Sequence, residues 1–464
     1  MSDAILVELP GAEGSYGSRL IASIAGVQTR TLHTMPRTLP RLLLVSVHFP
    51  GQLVHLKKLV QNAGIDPNPA TRKTPFVVFG GYGCNNPEPA LGIANAVQVG
   101  DGEEFAAALK DGADPQSGDC DGIEGYVATP GTEAPGWGIR EQRAPVVANQ
   151  SGTLTGDVVV CRTHGSDHLP TVELARGCKT RCAFCAVGNT KAFRELPEAL
   201  AMEYAERPTR QRRLFAADLG SISYWDARAE VLASSSGGMS VRSALQHPAA
   251  FAQLPQPSMG VEGWSERLRR LVGKPITDQE LYAIASHRIA AGRRQVMWYM
   301  LHSLPTSSAN DRLQFLAMMQ GLPAETMVRL SFTPYQKLAG TPLSYAPATY
   351  LDEERRFLCE MRQRFETPCK KTVRIGKGPV RHYVDTLASC GTRNIARLFV
   401  EYGDAILAWS ESKLMAAARY YGNDLEVICD EWPETETLPW GYVDFGLGDP
   451  RERYERHIKP ALEA

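Results

Sequence analysis

The stretch Glu173-Leu-Ala-Arg176-Gly177-Cys178-Lys-Thr-Arg-Cys182-Ala-Phe184-Cys185 decides how the rest of the chain is read. Its cysteines are spaced C-x3-C-x2-C and follow directly on Val172–Ala175, an apolar run that predicts a β-strand. Three closely spaced thiolates on a loop suit three corners of a cubane iron–sulfur cluster. The absence of a fourth thiol in the group leaves one metal position open, which marks catalytic rather than structural metal sites. Sulfur ligation favours iron–sulfur or zinc over hard cations. The alternative is a closed zinc site that borrows Cys161, His164 or His168 from just upstream. The strand in front of the loop and Phe184 ahead of the third cysteine count against it.

On either side the sequence alternates strands and helices. Before the loop, Ile5–Val7, Leu42–Val47, Phe76–Phe79 and Ala96–Val99 predict strands. Ser18–Ala25, Gln52–Ala63 and Glu103–Lys110 predict helices. This rhythm predicts an open parallel sheet, with Gly80-Gly81 where such sheets bind ligands. Residues 111–165 are rich in Gly, Pro, Asp and Thr and predict irregular connection, with a hairpin near Gly152–Cys161. Strands resume at Val172–Ala175, Arg213–Ala216, Pro257–Gly260, Gln295–Tyr299 and Val328–Phe332, enough for a partial barrel. From Leu351 the pattern becomes helical and charged: Leu351, Phe357, Leu358, Met361 and Phe365 share one face. A helix is expected over Ser412–Tyr421 with Ser412 as its N-cap, and another over Arg451–Leu462, interrupted by Pro460.

With 464 residues, two or three domains are expected. Lys and Arg total 50 against 51 Asp and Glu, so net charge gives no argument for nucleic acid or an anionic membrane as partner. Neither a membrane-spanning apolar run nor a basic, apolar leader is present, and a cytoplasmic location with no membrane partner is the expectation.

The cysteine loop resembles the signature of the radical SAM superfamily, and Ala175-Arg-Gly-Cys178 resembles the subset with an N-terminal cobalamin-binding domain. The resemblance implies an α/β chain in three parts. Residues 1–150 are a Rossmann-like, cobalamin-binding-type parallel sheet with its connecting segment. Residues 151–350 are a partial (β/α)6 barrel. Residues 351–464 are a small, mostly helical, substrate-proximal region. Cys178, Cys182 and Cys185 would ligate a [4Fe-4S] cluster, with S-adenosylmethionine on the open iron. Phe184, Asp218, Gly220, Glu262, Tyr299 and Ser331 would contact S-adenosylmethionine. The supporting stretches are Asp218-Leu-Gly220, Gly260-Val-Glu262-Gly-Trp-Ser265 followed by Lys274, Tyr299-Met-Leu-His302-Ser-Leu304-Pro305-Thr306, and Ser331-Phe332-Thr-Pro334 through Leu343, in the family's order. From residue chemistry alone, Asp218 also reads as a helix N-cap, Glu262 as a solvated or capping carboxylate, and Tyr299 as core.

The N-terminal half resembles the family's cobalamin-binding fold at Leu44-Val-Ser46-Val-His48, Phe79-Gly80-Gly81, Pro87-Glu88 and Val99-Gly100-Asp101-Gly102-Glu103. Ser46, His48, Gly80 and Gly81 are the expected cobalamin contacts. The Asp-x-His-x-x-Gly motif that supplies an axial histidine is absent, so cobalamin would bind without that ligand; the alternative is a fold that has lost the cofactor. Cys84 and His48 read first as packing and polar satisfaction.

The resemblance implies reductive cleavage of S-adenosylmethionine to a 5′-deoxyadenosyl radical, with an external one-electron donor such as flavodoxin or ferredoxin, and methyl transfer to an unactivated carbon. The alternatives are radical rearrangement or other hydrogen abstraction without cobalamin, and a non-catalytic iron–sulfur or zinc protein. Arg207, Arg210, Arg212 and Arg213 form one basic cluster. The segment 370–382, with Lys370, Lys371, Arg374, Lys377, Arg381 and His382, forms another. Both read as phosphate contacts for a nucleotide or nucleic acid, or as solvated charged faces. Trp432, Trp440 and Tyr442 are aromatic residues without an assigned place. Cys359, Cys369, Cys390 and Cys429 read as ordinary buried thiols.

Overall fold

The computed structural model describes residues 3–463 except 12, 37, 130–143, 163–167, 207–212, 234–238, 255–256, 366–371 and 434–435. Runs such as Leu42-Leu-Leu-Val45 are apolar on both faces because both faces are covered. They build a first sheet from β1 (Ala4–Glu8), β2 (Gln28–Thr31), β3 (Leu42–Ser46), β4 (Phe76–Gly80), β5 (Ala96–Gln98) and β6 (Tyr126–Ala128). The spatial order is β2-β1-β3-β4-β5-β6, parallel except for β6. On one face Leu6, Leu44 and Val78 meet Ala22 and Ala25 of helix Tyr16–Ala25 and Phe105 and Leu109 of helix Glu103–Lys110. On the other, Val45 and Phe79 meet Leu56 and Leu59 of helix Leu56–Ala63 and Leu398 and Phe399 of helix Ile395–Tyr402. The C-terminal region thus completes the core of the N-terminal sheet.

Past this sheet, β7 (Val146–Val147) lies in the connecting segment. A second sheet contains β8 (Val159–Arg162), β9 (His168–Arg176), β10 (Arg194–Glu195) and β11 (Arg213–Ala216). A third contains β12 (Ser258–Glu262), β13 (Gln295–His302), β14 (Met327–Pro334) and β15 (Thr372–Ile375), all parallel. Finally β16 (Val443–Asp444) pairs with β7 and ties the C-terminal segment to the connecting one. The fold is α/β with parallel sheets. Alternate residues of β9, β11, β12 and β13 and the end of β14 face one shared cavity, so the second and third sheets act as the two walls of a barrel interior.

Several expectations are corrected. The hairpin lies later than Gly152–Cys161: β8 pairs antiparallel with β9, and its turn falls outside the described residues. The segment 111–165 contains β6, which closes one edge of the first sheet. Gln52–Ala63 is not one helix. A 3-10 turn over Pro50–His55 precedes Leu56–Ala63, and the Gln52 side chain accepts from the backbone of His48 at 2.6 Å and Phe49 at 3.0 Å. The helix expected at Ser412–Tyr421 runs Glu411–Tyr420, and its N-cap is Ser410, whose hydroxyl accepts from Lys413 N. Cys390 and Cys429 are buried, whereas Cys359 is only half-buried; Cys369 lies outside the described residues.

The first and second sheets are locked by a buried ionic cluster. Asp101, 3% exposed, leaves the end of β5. It meets Lys191 at 2.8 Å, Arg194 at 2.5 Å and Arg176 at 3.2 Å, and accepts from Gly152 N. Arg176, the last residue of β9, also pairs with Glu173 at 2.6 Å and Glu103 at 2.5 Å. Burial alone would raise the Asp101 carboxyl; Lys191, Arg194 and Arg176 together outweigh it and hold it well below the ordinary carboxylate range. Asp101→Ala strands these cations, and a loss of about 3–5 kcal/mol is expected in denaturant unfolding. A carboxyl depressed in the fold stabilises fully above its unfolded pKa of about 3.9, and that stability is lost as pH falls through the folded value. The gap between wild type and Asp101→Asn should therefore narrow in strong acid; a gap constant from neutral to about pH 2 would remove Asp101 from this role.

Candidate functional site

The C-terminal ends of the first and second sheets open onto one cavity of about 2010 Å³. This exceeds the roughly 300–1,000 Å³ of an ordinary small-ligand pocket, so it has room for more than one ligand. Strand ends at Ser46, Gly80 and Gln98 form one wall, and the loop after β9 forms the facing one.

That loop carries Cys178, Cys182, Phe184 and Cys185, and all four line the cavity. Gly177 (φ 76°) lets the chain turn out of β9; a Cβ there would press on the carbonyls of Lys191 and Ala192 at 2.7 Å. The loop backbone is tied off on several sides. Asn189 Nδ2 donates to the Cys182 carbonyl at 2.7 Å and the Cys185 carbonyl at 2.8 Å. Ala183 N donates to Val272 O at 3.0 Å and Arg453 to Arg181 O at 3.1 Å. Burial pushes the Cys182 thiol up to about 12 and raises that of Cys185, so both need a cation to ionise. Among the described residues no three His, Cys, Asp or Glu side chains already stand in the arrangement of a bound metal. As a donor set, three thiols on a backbone-anchored loop facing an open cavity fit a soft metal cluster with one free position. The zinc alternative loses support: Cys161 is buried, and its side chain hydrogen-bonds Val159 O at 3.8 Å. His164 lies outside the described residues.

Around the loop the cavity gathers most of the other expected residues. Asp218 accepts from Gly220 N at 3.2 Å and Ser221 Oγ at 3.0 Å, so it caps a short turn and still lines the cavity. Glu262 is buried rather than solvated and meets Lys274 Nζ at 2.8 Å, while Lys274 also donates to Gly260 O. Burial opposes the Lys274 charge, but Glu262 and the neighbouring Cys182 outweigh it and raise the ammonium's pKa. Tyr299 is 44% exposed and lines the cavity, which corrects its reading as core. Ser331 is not brought in: it lies beside Tyr299 in register on β14 but lines a separate hollow.

On the opposite wall are Ser46, His48, Gly80 and Gly81. Gly81 (φ 110°) is required by its backbone, because a Cβ would overlap the Val47 carbonyl. Burial lowers the pKa of His48, favouring the neutral ring, and Phe49 and Tyr82 stand edge-on to it. Cys84 is fully buried and burial raises its thiol, in keeping with packing.

Sequence reasoning missed Gln336, Lys377, Asp385 and Ser389 as cavity lining. Asp385 accepts from Lys377 at 2.5 Å and Gln336 at 2.6 Å and pairs with Arg381 at 2.9 Å. No short motif announces this cluster, although the basic character of 377–381 hinted at it. His382 is buried, with Nε2 3.0 Å from Ala348 O, and is not available to phosphate. Arg207, Arg210, Arg212, Lys370 and Lys371 lie outside the described residues. Trp432 and Trp440 are buried edge-on to each other, and Tyr442 donates to Glu88, away from the cavity. No helix among the described residues is long and apolar enough to cross a membrane.

No known family profile matches the chain. No curated protein matches it. Solved structures do. The chain is similar to the cobalamin-dependent S-adenosylmethionine radical enzyme OxsB with aqua-cobalamin bound, at 12% identity over 70% of this chain and 52% of that one, TM-score 0.46. For OxsB with aqua-cobalamin and S-adenosylmethionine the values are 12%, 70%, 52% and 0.49. For the apo, selenomethionine-labelled protein they are 13%, 68%, 51% and 0.47. The chain spans about half the length of these proteins. At this identity the site is read from its own residues.

The two cavity glycines should differ. Gly81→Ala places a side chain at positive φ against backbone, and a loss of about 1–3 kcal/mol is expected in thermal or denaturant unfolding. At Gly80 a Cβ meets Gln98 O at 3.5 Å, ordinary contact, so Gly80→Ala should cost much less. Equal losses would contradict this account of the cavity edge.

Proposed function

We propose that the chain is a radical SAM enzyme and that its reaction is cobalamin-dependent methyl transfer to an unactivated carbon. The observation that carries the reading is the shared cavity: a loop of three anchored cysteines faces the glycine-edged ends of a parallel sheet across a space well above that of an ordinary small-ligand pocket. When bound, a [4Fe-4S] cluster with S-adenosylmethionine supplies a 5′-deoxyadenosyl radical, and cobalamin supplies the methyl group.

The chain's own residues have definable tasks. Cys178, Cys182 and Cys185 would hold the cluster. Lys274, kept charged by Glu262, offsets negative charge gathered at the thiolates. The carboxylates of Asp218 and Glu262 are acceptors for an ammonium group, and the Gly220 backbone allows close approach. Tyr299 presents an exposed ring for stacking. Ser46, Gly80 and Gly81 would border the cobalamin tail, and neutral His48 offers a hydrogen bond without added charge. Phe49, Tyr82 and Phe184 contribute apolar wall that limits water at the reacting carbon. An external one-electron donor such as flavodoxin or ferredoxin is proposed as partner, in a cytoplasmic setting.

The test is anaerobic reconstitution with iron and sulfide. The wild type should gain iron–sulfur absorbance and release 5′-deoxyadenosine from S-adenosylmethionine with a reductant; Cys178→Ala, Cys182→Ala and Cys185→Ala should lose both. Absence of 5′-deoxyadenosine above background in the wild type overturns the radical reading. Near-stoichiometric cobalamin and a product heavier by one methyl support methyl transfer. A product of unchanged mass favours rearrangement.

A further inference from the structure

Three arginines surround the hollow of about 490 Å³ that holds Ser331. Arg329 and Arg374 extend from one face of the third sheet. Arg329 pairs in register with Thr372 and Ser331 with Arg374, so the two guanidinium groups are diagonal neighbours on adjacent strands. Arg362 comes from the helix Asp352–Phe365, which packs against β15. All three are exposed. Among the described residues none of them has a carboxylate partner; with its amide turned to suit its neighbours, the neutral Gln295 side-chain oxygen accepts from Arg329 at 2.9 Å and 3.2 Å.

Like charges side by side on a sheet face repel. Several cations elsewhere in this chain are met by carboxylates: Lys274 by Glu262, Lys377 and Arg381 by Asp385, and Arg176 by Glu173. The arginine hollow lacks such an answer, and guanidinium forks match phosphate oxygens two at a time. The hollow is separate from the large cavity but lies on the same face of the third sheet. Tyr299 lines the large cavity and stands in register with Ser331 and then Arg374. At about 4.8 Å per strand, the Arg374 backbone lies roughly 10 Å across the sheet from that of Tyr299.

We propose that Arg329, Arg362 and Arg374 form an anion subsite for the phosphate or diphosphate of a small phosphorylated substrate, whose reacting carbon extends past Tyr299 into the large cavity. A small substrate is favoured over nucleic acid because Lys377 and Arg381, the described cations that follow Arg374 in sequence, are already neutralised by Asp385. The assignment of the reacting end rests on the radical SAM reading; the phosphate site itself does not.

The test uses the full-length protein without cluster, S-adenosylmethionine or cobalamin, so it succeeds or fails independently of radical chemistry. Pyrophosphate binding is measured by calorimetry. The wild type should bind. Arg329→Gln and Arg374→Gln should each weaken binding tenfold or more, and Arg374→Lys should weaken it less. Arg456→Gln, at an exposed pair with Glu452 on a distant helix, should bind as the wild type does. Circular dichroism confirms that each variant is folded. No binding at millimolar pyrophosphate, or equal weakening by Arg456→Gln, overturns the subsite. A single-stranded oligonucleotide that binds more tightly than pyrophosphate and is lost in the same variants overturns the small-substrate assignment in favour of nucleic acid.

Discussion

The geometry of the cavity depends on one buried carboxylate. Asp101 leaves the last parallel strand of the first sheet and is met by Arg176 at the end of β9 and by Lys191 and Arg194 just beyond the cysteine loop. An isolated charge so buried would be strongly unfavourable; several well-placed partners make it tolerable, and removing any of them exposes the full cost. Apolar packing joins the two units over a wide area but is indifferent to small slides. The ionic cluster is not, because its contacts are directional. It therefore sets how the glycine-edged strand ends stand against the cysteines, and the residues between Gly177 and Lys191 are fixed at both ends by it.

The C-terminal region does the complementary work. Its helix Ile395–Tyr402 covers the first sheet, β15 extends the third, and Arg453 reaches the carbonyl of Arg181 in the cysteine loop. Val272, Leu343 and Arg453, far apart in sequence, pin the same loop through its backbone. A cluster-binding loop gains from this, since thiols must be presented together while their backbone carbonyls are satisfied elsewhere.

Much of this was legible in the sequence, for physical reasons that also explain the exceptions. Strands β1, β3, β4 and β5 are continuous apolar runs because both faces are buried. β2 (Gln-Thr-Arg-Thr) is a half-exposed edge without a pattern, and β15 begins next to residues outside the described set. Cys178, Cys182 and Cys185 could be read because local spacing carries their meaning. Asp101 was read only as a landmark, since its partners lie 75 to 93 positions away. Tyr299 was open to two readings, core or cavity, because alternation shows that a strand residue faces inward but not whether the interior there is filled. Ser331 shares that inward face and still misses the large cavity, because position along the strand decides which hollow it reaches. The basic segment 370–382 looked uniform in sequence, yet Asp385 neutralises Lys377 and Arg381 while Arg374 stays without a carboxylate among the described residues.

Glu262 brings these constraints together. It is a non-glycine residue at φ 74°, a conformation that costs about 1–3 kcal/mol. The register between β12 and β13 shifts between Gly260 and Glu262, so the strand ends in a bulge. The bulge aims the carboxylate at Lys274, and Gly260 is open beside it because any Cβ would overlap both charged groups. Lys274 in turn lies close enough to Cys182 and Cys185 to interact with their charge. Negative charge gathered on those sulfurs, as proposed above, would give that ammonium a task. The strain at Glu262 is an observation separate from the cysteine spacing, and the proposed cluster held on thiolates would account for both.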